Sequence, residues 1–122
     1  MTQNELTKVI FWQLIAFAKL EENPQTEFST SPILFEFAKT QGIKNTISVF
    51  RTLEMYNFLS TESPTFQTIS LTQKAISLKQ QEDVKDKIDK NNWAIFLAEE
   101  DEKHQVAKEL RNENEFLKIL IK

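Results

Sequence analysis

One glycine, Gly42, serves all 122 residues, so there is a single position where the backbone turns left-handed without a steric cost. A glycine-rich loop that brings backbone amides against a phosphate cannot be built, which argues against nucleotide-binding folds. Gly42 also lies between two stretches of helical periodicity. Before it, Ile33, Leu34, Phe37 and Ala38 form one inner side. After it, Ile43, Ile47, Phe50 and Leu53 recur at four, three and three, with Lys44, Ser48, Arg51 and Met55 on the opposite side. One face is expected to pack and the other to be presented. Asn57 is expected to end this helix near Tyr56, because asparagine best replaces glycine in the left-handed conformation.

Residues 4–20 place Leu6, Ile10, Leu14 and Phe17 on a first helix, and Val9, Phe11 and Ile15 widen its apolar surface. A helix of that kind is central or shared with a second subunit. Pro24 marks a loop, after which Ser29, Thr30 and Ser31 offer hydroxyl caps and Pro32 suits a first helical turn. Residues 58–61 and 66–71, separated by Glu62, Ser63, Pro64 and Thr65, form an expected hairpin. Phe66, Thr68 and Ser70 alternate with Gln67, Ile69 and Leu71, and Leu71 is expected to close onto the core. Thr72 caps a fourth helix running through Ile76, Val84 and Ile88, with an interruption expected at Asn91 and Asn92. An apolar cluster from Trp93 to Ala98 follows, whose residues 93–97 suit helix or strand equally. The acidic run Glu99, Glu100, Asp101 and Glu102 then precedes a helical stretch with Val106, Leu110, Leu117 and Ile121.

These patterns predict a mainly α fold with a small β-hairpin. One domain is expected over residues 1–122, with a core of residues 4–80 and a C-terminal helical extension of residues 81–122. A hydrophobic content of 40% and ten phenylalanines suit one ordinary core. The absence of cysteine rules out disulfides, thiolate metal sites and thiol nucleophiles. His104, the one histidine, sits in an acidic stretch and reads as a solvated surface residue, so no zinc site is expected. The acidic run reads as a solvated face, and Trp12 and Trp93 are assigned to packing or a dimer interface. Ser29, Thr30 and Ser31 have no histidine nearby to activate a nucleophile. An enzyme and a cofactor are therefore not expected. Met1 is followed by Thr, Gln, Asn and Glu rather than a basic segment, and residues 9–18 are too short to span a bilayer. A soluble, cytoplasmic protein is the expectation.

The middle of the chain resembles the winged helix-turn-helix domain of bacterial and archaeal transcriptional regulators, in particular the MarR-like and PadR-like groups. Thr40, Gln41, Gly42 and Ile43 look like the turn of residues 33–57, and residues 45–54 look like the recognition helix. The family's ending Leu-Glu-x-x-Gly-Leu-Ile is similar to Leu53, Glu54, Met55, Tyr56, Asn57, Phe58 and Leu59. Its Leu-Thr-x-x-Gly after the second wing strand is similar to Leu71, Thr72, Gln73, Lys74 and Ala75, with alanine for the usual glycine. The resemblance implies double-stranded DNA as partner, with Lys44, Asn45, Ser48, Arg51 and Thr52 on the recognition helix and Thr61, Ser63, Thr65 and Gln67 in the wing. A homodimer through the first and C-terminal helices is expected from the excess apolar surface of the first and last helices, with no cofactor. By side-chain chemistry Arg51 suits guanine and Asn45 suits adenine.

Charge gives an independent test, because lysine and arginine supply most of the affinity for phosphate. The net charge is −3. Residues 1–27 carry two basic and four acidic side chains, residues 28–80 five and three, and residues 81–122 eight and eleven. The positive segment coincides with the expected reading head. The acidic balance elsewhere suits the alternative, a winged-helix interaction module that binds protein without DNA.

Overall fold

A computed structural model describes residues 1–121. They are mainly helical with a small antiparallel sheet. The order is α1 (Gln3–Ala18), β1 (Phe28–Ser29), α2 (Ser31–Gln41), α3 (Ile43–Met55), β2 (Leu59–Ser60), β3 (Thr68–Leu71), α4 (Gln73–Ile76), α5 (Gln81–Glu100) and α6 (His104–Ile119). The chain divides into two compact units, Met1–Leu78 and the segment from Lys79 onward.

In the first unit, Thr2 caps α1 by accepting the Glu5 N–H at 3.1 Å. Leu6, Ile10, Phe11, Leu14, Ile15 and Ala18 are buried, so most of the wide apolar surface of α1 is already covered in a single chain. Helix α2 buries Ile33 and Phe37, and α3 buries Thr46, Val49, Phe50 and Leu53. Each large apolar side chain so buried stabilises the fold by about 1.5–3 kcal/mol. The three strands lie in the order β1-β3-β2. Leu59 opposes Leu71 and Ser60 opposes Ser70, while Phe28 opposes Ile69. Ile69 and Leu71 point into the core, as the alternation predicts.

Strand β1 was not expected. The hydroxyl of Thr30 explains how the chain is drawn into the sheet there. Thr30 is fully buried and begins α2, yet its hydroxyl does not cap the helix. It donates instead to the carbonyls of Phe66 at 2.5 Å and Gln67 at 3.1 Å, and its own N–H reaches Gln67 O at 2.9 Å. The expectation of a hydroxyl cap at Thr30 is therefore corrected. The expected strands also shorten: Phe66 takes φ of 57° and leaves the ladder, stacking on Phe50 at 6.1 Å.

The packing face of α3 differs from the expected one by a rotation. Ile43, assigned to the inner side, is 49% exposed, and Thr46 is buried in its place. Ile43 is the first residue of the helix, and Thr46 can be buried because its hydroxyl donates to Gly42 O at 2.9 Å. The other end of α3 is fixed by its neighbours. Asn57 takes φ of 64°, Thr72 Oγ1 donates to Asn57 O at 2.6 Å, and Lys74 Nζ donates to Tyr56 O at 2.7 Å.

The expected fourth helix is two helices. Helix α4 stops at Ile76, and α5 starts only at Gln81, where the Asp83 carboxylate accepts the N–H groups of Lys79 at 2.9 Å and Gln80 at 3.1 Å. A carboxylate at that position both satisfies open N–H groups and suits the positive end of the helix.

The second unit is a helical hairpin in which α5 packs on α6. The expected interruption at Asn91 and Asn92 does not occur, and residues 93–97 are helix. Both asparagines are accommodated by partners. Asn91 Nδ2 donates to Asn114 Oδ1 at 2.9 Å, and Asn114 Nδ2 donates to Asn92 Oδ1 at 2.9 Å and Ile88 O at 3.4 Å. Val84, Ile88, Asn91, Ile95 and Ala98 occupy one stripe of α5, and Ala107, Leu110, Asn114 and Leu117 one stripe of α6. Their alternating spacings of four and three are those of a coiled-coil seam. The acidic run forms the end of α5 and the turn, where Glu102 takes φ of 58° and Glu99 pairs with Arg111. Of the two assignments for Trp93, packing within the single chain is not the one observed: Trp93 is 64% exposed and stacks on Phe96 at 5.5 Å.

Candidate nucleic-acid interface

The outward edge of α3 follows from its buried one. With Val49, Phe50 and Leu53 anchored inward, helical geometry turns Lys44, Ser48, Arg51 and Met55 outward, and all four are exposed. Asn45 is exposed as well, but its side chain is engaged: Nδ2 donates to Gln41 O at 2.8 Å. Its backbone carbonyl accepts Gln3 Nε2 at 3.0 Å. Thr52 is half-buried, and its hydroxyl donates to Ser48 O at 3.0 Å. Of the five helix positions expected to contact DNA, Lys44, Ser48 and Arg51 thus form the open stripe, whereas the Asn45 side chain ties α3 to the end of α2 and the Thr52 hydroxyl bonds back within α3.

The loop between β2 and β3 is tied by its own hydroxyls. Thr61 Oγ1 donates to Thr68 O at 2.5 Å across the base of the hairpin and accepts the Ser63 N–H at 3.0 Å. Ser63 Oγ accepts the Gln67 N–H at 3.2 Å and lies 3.5 Å from Thr65 Oγ1. Thr65 and Gln67 are exposed. Thr61 and Ser63 therefore brace the loop, and Thr65 and Gln67 are the wing positions with side chains open to a partner.

A groove of about 500 Å³ lies between α3 and this loop, lined by Arg51, Glu54, Thr61, Glu62, Ser63, Pro64 and Phe66. It joins Arg51 to two of the expected wing residues, while Lys44 stands two turns away toward the start of α3. Sequence reasoning did not place Glu54 and Glu62 here. Glu54 was legible in principle, since residues three apart on a helix are neighbours. Glu62 was not, because its position depends on the path of the loop. The two carboxylates make the groove mixed in charge, with the guanidinium as its cation. Among the described residues no group of His, Cys, Asp and Glu side chains is placed to hold a metal ion, and no helix is long and apolar enough to cross a membrane.

The chain matches no family model, and no curated protein or solved structure is significantly similar to it.

Proposed function

We propose that the first unit is a winged helix-turn-helix domain that binds double-stranded DNA through α3 and the β2–β3 loop, and that the protein works as a homodimeric transcriptional regulator. The observation that carries this reading is the open stripe of Lys44, Ser48 and Arg51 on a helix whose opposite face is anchored in the core. The element order supports it: a helix, a short strand, two helices joined at Gly42, and a hairpin whose second strand lies centrally in the sheet. Lys44 and Arg51 supply positive charge at either end of the stripe, Ser48 a small hydrogen-bonding group between them, and Thr65 and Gln67 polar contacts from the loop.

A titration of mixed duplex DNA across a salt series tests the reading. Affinity should fall as salt rises, and Lys44→Gln should lower the magnitude of the log–log slope by about 1 per site contacted. Absent or salt-insensitive binding would overturn it.

A second reading, a winged-helix module that binds protein, is favoured by two specific features. Glu54 and Glu62 share the groove with Arg51, and Met55 and Ile43 are 68% and 49% exposed at the two ends of α3. Lys44→Glu with Arg51→Glu separates the readings, since a DNA reader loses binding while an adaptor using the apolar ends does not.

A further inference from the structure

Helix α5 carries two stripes. One faces α6 and is filled by Val84, Ile88, Asn91, Ile95 and Ala98. The other lies on the opposite side, where Lys90, Trp93, Leu97 and Glu100 recur at three, four and three, again the spacing of a helix–helix seam. Among the described residues of this unit, none covers this second stripe. Trp93, Phe96 and Leu97 are 64%, 51% and 45% exposed, and the Trp93 and Phe96 rings stack on each other. Large aromatic side chains clustered in water on one helix face mark an interaction surface.

The charges that bracket this patch say what fits it. A basic residue stands one turn before Trp93 and an acidic residue one turn after Leu97. When two such helices cross antiparallel about a two-fold axis near Ile95, each Trp93 meets Leu97 of the other copy, and each Lys90 meets the other copy's Glu100. The patch is therefore complementary to itself in shape order and in charge, which is the property of an isologous interface. A parallel pairing would instead set Lys90 against lysine and Glu100 against glutamate.

We infer that the outer stripe of α5 is the dimer interface of this protein, formed by antiparallel pairing with α5 of a second copy, so that two hairpins make a four-helix bundle. The inference rests on the homodimer reading above and assigns it a surface and a register. Of the other expected contributors, helix α1 has most of its apolar residues buried in the single chain, and α6 exposes Val106 where α5 exposes Trp93, Phe96 and Leu97, which leaves α5 as the larger open surface.

The test uses the full chain in sedimentation velocity over a concentration series. The wild type should dimerise, and Trp93→Glu should be monomeric with unchanged helical circular dichroism. Lys90→Glu and Glu100→Lys should each weaken association by about tenfold, since two contacts per dimer change from attraction to repulsion. An equimolar mixture of those two variants should dimerise, because each then offers the other opposite charges, and the double variant Lys90→Glu/Glu100→Lys should recover wild-type association. A monomeric wild type overturns both this interface and the homodimer reading. A wild-type dimer indifferent to Trp93→Glu overturns the interface alone and leaves a dimer built elsewhere. Failure of both the mixture and the double variant to recover association overturns the antiparallel register. Duplex DNA titrated into the same samples keeps the DNA reading separate, since monomeric Trp93→Glu should still show salt-dependent binding to a single half-site.

Discussion

Gly42 holds φ at 85° and ψ at 145°, a combination that side-chain-bearing residues scarcely adopt. A Cβ added there would meet no atom within 4 Å, so the cost of replacing it lies in the backbone alone. Gly42→Ala should lower stability by about 1–3 kcal/mol in urea unfolding, whereas Asn57→Gly, at a φ of 64° that glycine accepts freely, should stay within about 1 kcal/mol of wild type. Both turns are legible in the sequence, because a lone glycine and a helix-ending asparagine state their conformations locally. Thr30 is the opposite case. Its neighbours Ser29, Ser31 and Pro32 make it read as a helix cap, and nothing local reveals that its hydroxyl serves carbonyls some 36 residues away. Thr30→Val keeps the shape and removes the donor, leaving the Phe66 carbonyl short of a buried partner. We expect a loss of about 1–3 kcal/mol, read in the same unfolding experiment, and an unchanged stability would show the bond to be dispensable.

At the scale of elements, spacing was a good guide to which segments are helical and a poor guide to where helices break. The start of α5 at Gln81 depends on Asp83, whose carboxylate turns back to two N–H groups before its own helix. Strand β1, two residues long, is too short to show any alternation. Asn91 and Asn92 read as a break because asparagine is a weak helix former, yet Asn91 sits on the seam with its partner Asn114 at the matching position of α6. A single polar pair in a helical seam fixes register at some cost in stability. Asn91→Leu alone should therefore destabilise the hairpin by about 1–3 kcal/mol by leaving the buried Asn114 Oδ1 without its donor, while Asn91→Leu with Asn114→Leu should recover most of that loss. A double-mutant cycle followed by thermal unfolding checks the coupling. Additive effects would mean that the two side chains act independently.

For the whole molecule, the balance of charge decides how DNA could be held. With a net charge of −3 and only Lys44 and Arg51 as cations on the open edge of α3, one copy can neutralise few phosphates. Two copies double the number of contacts and give the second binding event a high effective concentration. The proposed function thus leans on self-association more heavily than it would in a strongly basic protein. The sequence showed an excess of apolar surface on its first and last helices, but periodicity cannot say which excess a single chain consumes. Burial leaves it on α5, around Trp93. If the two-fold pairing is the functional one, sites selected from random duplexes should be inverted repeats with half-site centres about 10–10.5 base pairs apart. Inserting about five base pairs between them rotates one half-site to the far side of the duplex and should reduce affinity to that of a single half-site. The same selection with Trp93→Glu should return one unrepeated half-site, and a repeated site from that variant would place the pairing of the two reading heads somewhere other than α5.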